Sequence, residues 1–248
     1  MRALLTVVCV LALVVPAVRA DEQAEATKVV DNAIKAMGGE TKVAGCKLLS
    51  MKGKGCIKMG GQQIDLTGDL TTQGAANFRL DMEATIMGMP MKLLVVIAGN
   101  EGWAKVMDQV KPAPEEDFAS IKQAFYLGRT GDLLGSLKEP GVKLSPLGEA
   151  NVDSKPALGI RVVRPDRGDM ELHFDKASGL LVKAASRFKG PRNQEGNFEY
   201  FFTDYKEFGG LKHYGKLVIK FENEDLIELE PAEVKALEKV DEGTFAKP

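Results

Sequence analysis

Glu171 to Glu230 reads ELHFDKASGLLVKAASRFKGPRNQEGNFEYFFTDYKEFGGLKHYGKLVIKFENEDLIELE. Met170, Leu172 and Phe174 alternate with Glu171, His173 and Asp175, the period of two of a half-buried strand. Asp175-Lys176-Ala177-Ser178-Gly179 then supplies a turn, since Asp accepts hydrogen bonds from backbone N–H groups just ahead and Gly adopts positive φ. Leu180 to Phe188 returns as a partner strand, closed by Gly190-Pro191. Asn197 to Phe208 reads as one further strand ended by Gly209-Gly210, and Leu217 to Phe221 as the next. Asn223-Glu224-Asp225 turns the chain into Leu226 to Leu229. Links this short force antiparallel neighbours, because a parallel crossover needs a dozen residues or so. The stretch predicts one wall of a curved antiparallel sheet.

Toward the N-terminus the rhythm continues. Leu49, Met51, Gly53, Gly55 and Ile57 alternate with Ser50, Lys52, Lys54, Cys56 and Lys58, and Gly60-Gly61 turns the chain. Ile64, Leu66, Gly68 and Leu70 follow, then Phe78, Leu80, Met82, Ala84 and Ile86, then Met91 to Ala98 and Trp103 to Val106. Glycines within strands permit sharp bending, so Gly53, Gly55 and Gly68 suit a sheet that curls. Pro112 to Pro140 interrupts this pattern with two short helices, one carrying Phe118, Ile121 and Phe125 and the other Leu133, Leu134 and Leu137. Alternation resumes at Val142.

Ahead of the first strand, Ala26, Val29, Val30, Ala33, Ile34 and Met37 form one stripe of an amphipathic helix over Asp21 to Met37. Asp21, Glu22 and Glu25 are placed at its start, Lys35 near its end, and Gly38-Gly39 stops it. Before that, Met1-Arg2, the apolar run Ala3 to Val15 and the small-residue site Val18-Arg19-Ala20 predict a cleaved secretory signal over residues 1–20, with a retained anchor helix as the alternative. No small-residue box leads into a cysteine, so no lipid anchor is expected. Residues 21–248 then form a single domain.

The fold class expected is α+β. It is a half-open, strongly curved antiparallel sheet, an unclosed barrel of about 11 strands, with an N-terminal helix and a mid-chain helical insert packed on the concave face.

Loss of Arg2 and Arg19 leaves 31 Lys and Arg against 35 Asp and Glu, a net charge of −4. That balance disfavours nucleic acid and gives no pull toward anionic membranes. A chain of this length buries enough surface to need no disulfide framework. Cys46 and Cys56, on an extended segment, lie roughly 30 Å apart, which favours two small buried thiols over a bridge. Motifs for zinc proteases, serine hydrolases, nucleotide loops and paired Cys-x-x-Cys sites are absent, and His173 and His213 have no nucleophile or metal set beside them in sequence. We therefore expect no enzyme, no cofactor and no resident metal.

Several pieces resemble the LolA/LolB-like outer-membrane lipoprotein-sorting superfamily of periplasmic carriers. They are Phe174-Asp175-Lys176-x-x-Gly179-Leu180-Leu181-Val182-Lys183, Asp204-Tyr205-Lys206-x-Phe208-x-Gly210 and the ending Val240-Asp241-Glu242-Gly243-x-Phe245-Ala246-Lys247-Pro248. Looser matches are Ala36-Met37-Gly38-Gly39-Glu40, Met51-Lys52-Gly53-Lys54-Gly55 and Gly99-x-x-Gly102-Trp103. The resemblance implies a half-open barrel that holds acyl chains between sheet and helices. It places no arginine at the position those carriers use to control ligand release, and Lys212-His213-Tyr214 stands where a proline is usual.

Three functions follow as expectations. The first is a non-catalytic, exported, monomeric carrier of an apolar ligand such as a lipid or lipoprotein acyl chain. Its proposed lining is Met51, Leu66, Leu80, Met82 and Met91 from the sheet and Phe118, Ile121 and Phe125 from the insert. The second is an envelope interaction module with a filled core, binding other envelope proteins through its sheet face or a strand edge. The third is a Cu(I) module using the soft thioethers of Met87, Met89 and Met91. Those methionines also suit a hairpin tip tucked under a helix, or contact with an apolar ligand. The insert is either a lid or a plug: a lid leaves an apolar cavity of roughly several hundred Å3, a plug none.

Overall fold

A computed structural model describes residues 15–113, 115–165, 167–190 and 194–248 of the chain. The first fourteen residues, most of the expected secretory signal, lie outside the described part, as does Pro191 of the expected strand stop. In order, the elements are α1 (Val15–Ala36), α2 (Glu40–Gly45), β1 (Leu48–Met59), β2 (Gln62–Gln73), β3 (Asn77–Ile86), β4 (Met89–Ala98), β5 (Glu101–Val106) and β6 (Gln109–Pro112). Then come α3 (Glu115–Gly128), a 3-10 turn (Leu134–Lys138), β7 (Lys143–Val152), β8 (Lys155–Val163), β9 (Met170–Asp175), β10 (Leu181–Lys189) and β11 (Glu195–Thr203). The chain ends with β12 (Lys206–Phe208), β13 (Leu211–His213), β14 (Lys216–Phe221) and β15 (Glu224–Ala236).

Among the described residues, one open 13-stranded antiparallel sheet runs in the order β6-β5-β4-β3-β2-β1-β15-β14-β11-β10-β9-β8-β7, and β12-β13 form a separate two-stranded ribbon. That is more strands than the sequence pattern suggested. The extra ones are short or sit where a proline or a turn residue masks the alternation, as in β6, which ends on Pro112. The architecture is otherwise the expected open, curved α+β fold.

The β9–β10 hairpin forms as read. Asp175 Oδ1 accepts hydrogen bonds from the Ser178 amide at 2.7 Å and the Ser178 hydroxyl at 2.6 Å. These bonds hold the Asp175 carboxyl below its ordinary value. Gly179 takes φ +74° and packs its turn against Asn32 and Ala36 of α1. The expected single strand from Asn197 to Phe208 is instead broken. Asp204 adopts φ +53°, β11 stops at Thr203, and Lys206 to Phe208 pair away from the sheet with β13. The break is fixed by Gly215, whose amide bonds the Thr203 carbonyl at 3.0 Å. A Cβ at Gly215 would run into the Asp204 carbonyl.

The α1 stripe packs inward as read: Ala26, Val30, Ala33, Ile34 and Met37 are buried with Leu133, Leu134, Leu137 and Leu144 beside β7 and β8, and Val29 is partly buried at the edge of the same cluster. The helix starts earlier than expected, at Val15, so Asp21, Glu22 and Glu25 sit in its body and its first turn carries no acid. Gly38 and Gly39, at φ +121° and +91°, end it, with the Gly39 amide bonded to the Ile34 carbonyl. Cys46 and Cys56 are free and buried. Burial pushes the Cys46 thiol up to about 12, so it stays protonated.

Candidate ligand-binding cavity

The bend begins at three glycines. Met51, Gly53 and Gly55 of β1 stand opposite Leu70, Gly68 and Leu66 of β2, and Leu70 and Gly68 stand opposite Leu80 and Met82 of β3. A Cβ at Gly53 would lie 2.7 Å from the Glu230 carbonyl oxygen, and one at Gly68 would lie 2.9 Å from that of Asp81. Only glycine lets neighbouring backbones approach this closely on the inner side of the curve.

Above this bend α3 crosses the sheet. The Phe125 ring stacks on Phe78 with centroids 3.5 Å apart and planes 17° apart. Gly128 sits over the Tyr200 ring, with room only for van der Waals contact. Between them lies a cavity of about 300 Å3. Its sheet side is Met51, Leu66, Leu70, Leu80 and Met82, and its far wall is Tyr200, Tyr214, Leu217, Ile219, Ile227 and Leu229. Ala124, Phe125, Gly128 and Arg129 roof it.

The lining residues expected from the pattern divide. Met51, Leu66, Leu80, Met82 and Phe125 surround this cavity. Phe118 and Ile121 do not; they pack with Leu70, Phe78 and Ile97 beneath α3. Met91 borders a different, wider groove of about 650 Å3, shared with Lys54, Asp65, Glu83, Lys92 and Glu228. That groove is larger but its lining is charged, whereas sites for apolar ligands have few polar groups.

A buried polar knot secures the roof. Arg129 donates from Nη1 to the Gly74 carbonyl at 3.1 Å and from Nη2 to the Cys46 carbonyl at 2.8 Å. Its Nε lies 3.5 Å from Asp132 Oδ2, and Asp132 Oδ1 lies 3.4 Å from His213 Nε2. His213 Nδ1 lies 3.0 Å from the Tyr214 carbonyl, which can only accept, so Nδ1 carries a hydrogen. Burial favours the neutral acid at Asp132, yet His213 and Arg129 hold its carboxyl below the ordinary carboxylate range. No motif announces this cluster; its only local signal is the i, i+3 spacing of Arg129 and Asp132 at the end of α3.

The remaining sequence candidates are placed as follows. His173 is half-buried on the outer face, stacked over Gly159 and below its ordinary basicity through burial and the nearby Lys183. The methionine turn is not covered by a helix: Met87 is 91% exposed and Met89 63%. The positive φ of Met87 and Gly88 makes this a tight tip that projects beyond the sheet. Among the described residues no group of three or more His, Cys, Asp or Glu side chains is placed to hold a metal ion.

No protein-family model and no curated protein matches the sequence. Solved structures do. A domain from Vibrio parahaemolyticus named for outer membrane lipoprotein sorting superposes with a TM-score of 0.58 at 10% identity, covering 91% of this chain and 97% of that one. A DUF1329 family protein from Desulfovibrio piger gives 0.59 at 12% identity, covering 89% and 96%. A LolA superfamily protein from Nitrosomonas europaea gives 0.56 at 10% identity, covering 90% and 97%. Over nearly its whole length, then, the chain has the LolA-like fold.

Proposed function

We propose that the protein is a non-catalytic, exported carrier or binder of an apolar group, a lipid or a lipoprotein acyl chain. The observation that carries this reading is the roofed cavity of about 300 Å3, whose wall is almost wholly hydrocarbon and aromatic. Each methylene buried there contributes about 0.8 kcal/mol, so a chain is held without covalent chemistry. The fold is shared with proteins named for lipoprotein sorting, which supports the same reading. No helix of the described residues is long and apolar enough to cross a membrane. The test is native mass spectrometry of the gently purified protein. A lipid bound to the wild type and lost in Phe125→Asp is expected, and a lipid-free wild type that also ignores added lipid sinks the reading.

A second reading, an interaction module of the cell envelope, draws on the bare hairpin tips. Met87, Met89 and, at the next tip, Met107 (60% exposed) present apolar surface to water. A lipid-free protein whose cross-linked partner disappears in Met87→Ser/Met89→Ser would favour it over carriage.

A further inference from the structure

Met87-Gly88-Met89-Pro90-Met91 puts a thioether at every second residue of the β3–β4 hairpin, and the cavity uses none of the three. Ile86 pairs with Met89 and Ala84 with Met91. Met87 and Gly88 therefore form a two-residue turn, and Met89 and Met91 share one face of β4. The β5–β6 hairpin ends beside this turn. Val106 pairs with Leu93, and the Met107 amide donates to the Lys92 carbonyl at 3.2 Å. Four methionines from two neighbouring hairpins thus share one end of the sheet.

Packing does not account for them. Among the described residues five large hydrophobic side chains stand exposed, and Met87, Met89 and Met107 are three of these. Flexibility explains a methionine that fills a gap in a core, but not one that stands in water. Backbone preference does not account for them either. Met87 takes φ +53° and Gly88 +79°, a turn for which Asn-Gly or Asp-Gly is the favoured pair, and Met107 also takes φ +53°. What these side chains have in common is a soft, uncharged sulfur donor on a flexible stem. Thioethers select soft cations such as Cu(I), whereas Mg2+ and Ca2+ take oxygen ligands. The local charge does not oppose a cation. Lys92, between Met91 and Leu93, is paired with Glu83 at 2.6 Å, and Asp108 follows Met107 on its tip.

We propose that the two tips form a binding site for one soft monovalent cation, Cu(I) or Ag(I), held by the thioethers of Met87, Met89 and Met91, with Met107 closing the site from the neighbouring hairpin. Binding is coordination by neutral ligands and changes no oxidation state. The site is separate from the cavity, so its test does not depend on what the cavity holds. The full chain, labelled with 13C-methyl methionine, is titrated with Ag(I) in chloride-free buffer and followed by proton–carbon NMR. The methyl signals of Met87, Met89, Met91 and Met107 are expected to move together and to stop at one equivalent. Those of the buried Met37 and Met170 are expected to stay in place. Met87→Leu/Met89→Leu keeps the apolar bulk of the tip and removes two sulfurs. It is expected to weaken Ag(I) binding by at least roughly tenfold, since even supporting contacts of a metal site act on that scale, and to leave the melting temperature unchanged. Because leucine preserves the apolar surface, the loss separates coordination from docking of an apolar partner. A double variant that binds Ag(I) as the wild type does overturns the proposal. So does movement of fewer than three of the tip signals, or movement that continues past several equivalents.

Discussion

At Gly55 the close strand approach becomes a measurable constraint. A Cβ there would collide with the Glu228 carbonyl oxygen and lie 2.8 Å from Leu229 Cδ2. Relief requires moving β15 away from β1, which opens the bend beside the cavity. Gly55→Ala is therefore expected to lower stability by about 3 kcal/mol, whereas Gly135→Ala, which meets nothing within 4 Å, stays within ~0.5 kcal/mol. Urea denaturation of the two variants checks the contrast, and equal midpoints would refute it. Asp132 gives the pH counterpart. Its folded pKa lies below the ordinary 3.8, so its stabilising contribution is complete above that value and is lost as pH falls through the lower, folded one. Asp132→Asn is expected to cost about 3 kcal/mol at neutral pH, because Arg129 loses its counter-charge in the interior. The variant's melting temperature should also fall less steeply than that of the wild type below roughly pH 4. Parallel acid limbs in the two proteins would show that Asp132 does not carry this dependence. Little of this residue-scale picture was legible beforehand. The bending role of Gly53, Gly55 and Gly68 was visible, because glycine at alternating strand positions has few other uses. The joining of Arg129 and Asp132 to His213 was not, because it depends on tertiary placement across some eighty residues and on no motif.

At the scale of elements, α3 shows how far periodicity reaches. Its apolar residues predicted a helix facing the sheet, and it is one. Which of them would line space and which would fill it depends on where the helix axis crosses the sheet, and one-dimensional pattern does not encode that. Phe118 lies over Gly102, where even a Cβ would be only 2.5 Å from its ring, so that end is packed solid. At the other end, Ala124 and Gly128 are small and leave the void. The Met87 turn was misread for a related reason: a run of methionines suggests a covering helix, but the hairpin extends beyond the reach of α3. The ties along α3 lead to a prediction about its dynamics. Arg129→Met keeps the bulk of the side chain and removes its bonds to Gly74 and Cys46. Amides of α3 should then exchange at least tenfold faster, equivalent to about 1.4 kcal/mol of lost local protection, while those of β9 to β11 hold theirs. Uniform acceleration throughout the molecule would mean that the roof has no separate stability.

For the molecule as a whole, the decisive pairing is between β1 and β15. Most hairpins in the sheet are local and were readable from alternation and turn residues, although the short β5–β6 hairpin was not. The seam joining Leu49 to Ala236 and Ile57 to Ile227 brings together residues from opposite ends of the chain, and nothing short-range specifies it. Loop closure of that span carries an entropic cost that only the finished sheet repays. The last strand therefore sits in the middle of the sheet, between β1 and β14, rather than at an edge. It also closes the cavity, because Ile227 and Leu229 form part of the far wall. A chain ended at Phe221 loses this bridge and leaves two half-sheets with unpaired central edges. It is expected to show no cooperative thermal transition. A chain ended at Leu237 keeps the whole seam, including the bond from the Leu237 amide to the Leu48 carbonyl at 2.9 Å. It should melt within about 4 °C of the intact protein, a shift equivalent to roughly 1 kcal/mol or less. Circular dichroism melts of the two truncations decide the matter: a sharp transition in the shorter chain would mean that the two halves are independently stable and that the β1–β15 seam joins them without holding the fold together.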